Sequence, residues 1–140
     1  MNSHKKCTYT LPKAVISTVE KNSSISMSRW LSESIQNGYE MMIDGYYDNG
    51  KQPLVGIKRR RNGTIPKTFS IPIKVDDTLR WFSETLNVRT SHLVVVCVLN
   101  YNHRNSEGTP LRIEELLRMM DEIYWGTYRE SNISTLEKHC

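Results

Sequence analysis

Two stretches of the chain alternate apolar and polar residues, and the rest is arranged around them. In Phe69-Ser70-Ile71-Pro72-Ile73-Lys74-Val75 the alternation is strict. A period of two puts Phe69, Ile71, Ile73 and Val75 on one face of a strand and Ser70, Pro72 and Lys74 on the other. Asp76 and Asp77 follow as helix N-caps, with Leu79 and Phe82 at helical spacing. A polar break, Asn87-Val88-Arg89-Thr90-Ser91, leads into a second apolar segment, Leu93 to Leu99. One short strand and two helices cannot close a core alone, because the strand's backbone groups need a partner.

The partner is found near the start. Lys6-Cys7-Thr8-Tyr9-Thr10-Leu11 also alternates, with Cys7, Tyr9 and Leu11 on the apolar side. Pro12 then suits a first helical turn, Val15, Ile16 and Val19 form a short stripe, and Asn22-Ser23-Ser24 breaks it. Ser26 or Ser28 can cap a second helix bearing Trp30, Leu31 and Ile35, which either frays at Gly38 or continues toward Gly45. The same order of parts thus occurs twice, at a period of about 64 residues, with Leu11 answering Val75. Two copies let the strands pair antiparallel, with four helices covering the ribbon's apolar face.

Between the copies lie a turn-rich linker, Asp48 to Pro53, a short apolar run, Leu54 to Ile57, and the cations Lys58-Arg59-Arg60-Arg61 ahead of an Asn-Gly turn signal. After them, Thr109-Pro110 opens a helix whose apolar positions, Ile113, Leu116, Leu117, Met120, Ile123 and Tyr124, recur at three and four. The expected class is mainly α with a short antiparallel β-ribbon. The expected organisation is a first copy over 5–47, a basic linker able to form a hairpin over 48–66, a second copy over 67–101 and a C-terminal helix over 109–128, all in one compact domain. Leu93 to Leu99 reads as a strand by its β-branched content and as a helix by its place in the repeat. As a helix it would leave Val95, Val96 and Leu99 for the C-terminal helix to cover.

Composition narrows the function. The 140 residues carry 38% hydrophobic residues and a net charge of +4, a mild basic excess that permits nucleic-acid binding. Three widely spaced cysteines with no C-x-x-C pair argue for a reducing cytoplasm and against a zinc cluster. His4 with Cys7, and His139 beside Cys140, are read as incidental, so neither metal nor cofactor is expected. No apolar run approaches the roughly 20 residues of a membrane span, and Met1 to Lys6 lacks a signal-peptide core. No G-x-S-x-G, P-loop, H-E-x-x-H or dinucleotide glycine pattern occurs, so no enzyme is expected. Asp76-Asp77 reads as a cap, His92 and His103 as surface or helix-edge residues, and Trp30, Trp81 and Trp125 as core.

The strand-to-helix junctions at Thr10-Leu11-Pro12 and Lys74-Val75-Asp76, with the breaks Ser24-Ile25-Ser26-Met27-Ser28 and Asn87 to Ser91, resemble the ribbon-helix-helix family of DNA-binding proteins, the class of Arc, MetJ and CopG. Two copies in one chain resemble TraY-like conjugation accessory proteins. Ser24 and Asn87 stand where that family places a glycine, and the first helices are shorter. The resemblance implies sequence-specific binding of double-stranded DNA, in transcriptional repression or in plasmid or mobile-element upkeep and transfer. It implies base reading by Lys6, Thr8, Thr10, Ser70, Pro72 and Lys74, the prolyl group offering only apolar contact. It further implies phosphate contacts near Ser26 and Met27 and near Arg89 and Thr90, to which the tetrad Lys58 to Arg61 would add. A second copy on an adjacent half-site is a further expected partner. The alternative is an antitoxin-like or adaptor module whose protein partner docks on the C-terminal helix with Val95, Val96 and Leu99. A weaker one is single-strand binding through the arginines and Tyr46-Tyr47.

Overall fold

The computed structural model describes residues 3–24, 26–43, 64–109 and 111–124. The linker from 44 to 63, with Tyr46-Tyr47 and Lys58 to Arg61, lies outside them, as do Trp125 and the tail. The elements run β1 (His4–Pro12), α1 (Lys13–Asn22), α2 (Met27–Ile43), β2 (Thr64–Pro72), α3 (Ile73–Leu86), α4 (Thr90–Glu107) and α5 (residues 113–124). The protein is mainly helical, with one two-stranded antiparallel sheet.

Both strands end on proline. Pro12 and Pro72 hold φ/ψ of −59°/147° and −54°/137° and stand as the N-caps of α1 and α3. Proline fits because its φ is fixed near this value and it has no N–H to continue a ladder. Thr8 lies opposite Thr68, Lys6 opposite Ser70 and Thr10 opposite Pro66. Lys13 and Ile73 start their helices 60 positions apart, whereas Met27 and Thr90 start theirs 63 apart. The period is therefore not uniform: α3 has 14 residues and α1 has 10. Leu11 answers Ile71 rather than Val75.

That register corrects several expectations. Strand β2 begins at Thr64, inside the stretch read as linker, and stops at Pro72. Ile73, Lys74 and Val75 belong to the first turn of α3, and Ile73 is 41% exposed. Asp76 is no cap; it is buried in that first turn. Asn87 closes α3 in the left-handed region at φ 54°, a conformation Asn tolerates better than most residues, so no glycine is required. Trp30 is buried, but Trp81 is 48% exposed, set edge-on to Tyr39 at 5.8 Å.

The inner face of the ribbon contributes Cys7, Tyr9, Leu11, Phe69 and Ile71 to the core. Helix α4 forms its centre. Every residue from His92 to Asn100 is buried, among α1, α2, α3 and β1, with α5 placing Tyr124 against His92, rings stacked at 5.8 Å. A helix covered on all sides needs no polar face, which is why this segment shows no helical period. Its valines each sacrifice at most ~0.7 kcal/mol of helix propensity, against ~1.5–3 kcal/mol from full burial. Burial wins. His92 is therefore an interior residue, and Val95, Val96 and Leu99 are enclosed rather than open to a protein partner.

Helix α2 continues past Gly38 because α4 passes there. A β-carbon at Gly38 would lie 2.5 Å from Cys97 Sγ and 3.7 Å from Phe82. At the far end, Leu111 is buried ahead of α5, whose first turn closes with the Leu116 N–H on the Arg112 carbonyl. The helix thus starts after the Thr109-Pro110 pair. Helix α4 likewise runs to Glu107, six residues past the expected end of the second copy.

Candidate nucleic-acid interface

The ribbon's outer face carries Lys6, Thr8, Pro66, Thr68 and Ser70, all exposed, with Thr10 half-buried. At its centre the hydroxyls of Thr8 and Thr68 lie 2.7 Å apart, within hydrogen-bonding distance across the strands. A two-stranded ribbon is of a size to enter the major groove of B-DNA, and side chains of this kind can meet base edges there.

The start of a second helix flanks each edge of the ribbon. Ser28, in the first turn of α2, accepts the Ser70 N–H at 3.0 Å. Ser91, in the first turn of α4, accepts the Thr10 N–H at 3.2 Å. Thr10 and Ser70 are the two positions that the 60-residue spacing relates, so the bonds form a matched pair. Each uses an edge amide that would otherwise be open to another strand. Their effect is to fix two helix N-termini, which attract anions, alongside the strands.

The two N-termini differ. Ser26 caps α2 by accepting the Arg29 N–H at 3.2 Å, so one amide there is already engaged. Met27 is half-buried, and Arg29 pairs with Glu33 at 3.4 Å. At α4 the N-cap Arg89 makes no side-chain capping bond; its side chain is exposed, and Thr90 is half-buried.

Beneath the ribbon lies a charged cluster that sequence reading did not anticipate. Lys5 Nζ and Arg80 Nε reach Asp76 Oδ2 at 2.5 and 2.9 Å, and the Cys7 thiol donates to Asp76 Oδ1 at 3.5 Å. Burial raises the pKa values of Cys7 and Tyr9 beside it, so both stay protonated and neutral. The positions 60 residues away from Lys5 and Asp76 are Ile65 and Ile16. One end of the ribbon is tied to a helix by an ion pair; the other has two isoleucines at the corresponding positions.

Of the residues expected to read bases, Lys6, Thr8, Thr10 and Ser70 come together on one face. Pro72 is the last strand residue, half-buried opposite His4. Lys74 is exposed on α3 and not on the ribbon. The outer face instead gains Pro66, expected in the linker, and Thr68, which was not among the expected base readers. The matching triplets Thr10-Leu11-Pro12 and Ser70-Ile71-Pro72 were the signal that could have found them. Lys58, Arg59, Arg60 and Arg61 lie outside the described residues.

Among the described residues, no three His, Cys, Asp or Glu side chains gather as a metal ion would need, and no helix is long and apolar enough to cross a membrane. A cleft of about 410 Å³ beside α4 and α5 is lined by groups of both signs, Arg112 with Glu107 and Glu115. Comparison with protein-family models, curated proteins and solved structures finds no match for this chain.

Proposed function

We propose that this protein is a tandem ribbon-helix-helix and binds double-stranded DNA sequence-specifically, as a transcriptional regulator or as a factor in plasmid or mobile-element maintenance or transfer. The single observation that carries the reading is the ribbon's exposed polar face with a helix N-terminus hydrogen-bonded to each of its edges. In this arrangement the ribbon enters the major groove. Lys6, Thr8, Thr10, Thr68 and Ser70 meet base edges, and Pro66 makes apolar contact. The N-termini of α2 and α4 then face the phosphates on either side, with Arg89 and the linker cations adding attraction that is blind to sequence.

The test is a gel-shift titration of the full chain on duplex DNA at rising salt. Each phosphate neutralised should lower log K by ~0.9 per tenfold rise in salt. A steep loss is expected for every duplex, together with a preferred sequence that survives competitor DNA. Salt-insensitive or undetectable binding would remove the proposal.

A further inference from the structure

Building on the reading of the ribbon as a DNA reader, we infer that the protein recognises an oriented, non-palindromic site. Guanine-bearing pairs belong at the ribbon end marked by Lys6 and Ser70, and thymine methyls at the end marked by Thr10 and Pro66.

The geometry that would make a palindrome is present, and the side chains break it. Thr8 and Thr68 face each other at the centre, and the 60-residue spacing exchanges Lys6 with Pro66 and Thr10 with Ser70. Two identical strands would offer the same groups at both ends and so read the same pairs twice. Here one end offers an ammonium with three donors, and the other offers an exposed pyrrolidine ring with none. An ammonium matches the O6 and N7 acceptors of guanine, and an apolar ring matches the C5-methyl of thymine.

The centre is asymmetric too. Two hydroxyls bonded to each other spend one proton between them. They therefore present one remaining O–H to the groove, not two.

The support under the ribbon keeps the ends distinct. Lys5, on the inner face, pairs with the buried Asp76 on one side only, because Ile65 and Ile16 occupy the corresponding positions on the other. Strand alternation keeps Lys5 off the reading face, and Lys6 is the described lysine on it. Because both halves belong to one chain, the two ends cannot exchange.

Selection of duplexes bound by the full chain from a random pool tests this. The expected motif is non-palindromic, with G·C preferred toward one end and T·A toward the other. Lys6→Ala, at an exposed position, should lower discrimination for G·C at that end by about 5- to 150-fold and leave the other end unchanged. Pro66→Lys should create a G·C preference at the opposite end and make the motif more symmetric. A palindromic motif from the unaltered chain overturns the inference, as does Lys6→Ala acting on both ends or neither. If no duplex is enriched at all, it is the DNA-reading proposal itself that fails.

Discussion

The hydroxyls of Thr8 and Thr68 lie 2.7 Å apart on the open face of the ribbon, at the point about which the two strands are paired. Removing them should hardly affect folding, because both side chains are exposed and valine suits a strand as well as threonine does. The Thr8→Val/Thr68→Val double variant should keep its unfolding free energy within ~0.5 kcal/mol in urea titrations. A larger loss would mean that the pair is structural and that its position on the outer face has another explanation.

The serine bonds to the ribbon edges should act locally. Ser28→Ala frees the Ser70 amide and Ser91→Ala frees the Thr10 amide, at ~0.5–1.5 kcal/mol each. Amide hydrogen exchange followed by NMR should show each amide accelerating only when its own serine is removed. The two losses should add in the double variant, because the sites share no partner.

Gly38 sits where α2 meets Cys97. Alanine is the better helix former by ~1 kcal/mol, yet its methyl carbon would stand 2.5 Å from a buried sulfur. Gly38→Ala should therefore destabilise by ~1–3 kcal/mol of overpacking. Adding Cys97→Ala should recover most of that, since the next atom, the Cys97 β-carbon, is at an ordinary 3.5 Å. Failure of the second change to rescue would place the strain elsewhere.

Complete burial pushes the Cys97 thiol from 9.0 up to about 12. Between these values the unfolded chain gives up a proton that the folded chain keeps. The thiol's stabilising contribution is thus intact below pH 9 and is lost as pH rises toward 12, at ~1.4 kcal/mol per pH unit. Urea midpoints measured at pH 8, 10 and 11 should fall more steeply for the parent than for Cys97→Ala. Parallel curves would show that the sulfur is not shielded from water.

Much of this was legible in the sequence, and the misses have physical causes. The alternation from Lys6 to Leu11 and from Phe69 to Ile71 marked both strands, because a half-buried ribbon has to alternate. It misled beyond Pro72, where Ile73 and Val75 continue the pattern inside a helix turn and Ile73 is exposed rather than in the core. Following that run shifted the second strand four residues late, putting Lys74 on the face and leaving Thr68 and Pro66 off it. For Leu93 to Leu99 only the repeat points to the helix observed, because burial on all sides erases helical periodicity. The Lys5–Asp76 pair could not be read at all: its partners lie in different copies, and no local pattern links them.

The proposed function requires the ribbon's outer face to distinguish one DNA sequence from another. The charge-neutral triple variant Thr8→Ala/Thr10→Ala/Ser70→Ala tests it most directly, by equilibrium binding to the best selected duplex and to a scrambled duplex of equal length. The expected result is a loss of about 100-fold or more on the selected duplex and little change on the scrambled one, whose binding would rest on phosphates. Equal losses on both duplexes, or none on either, would contradict it.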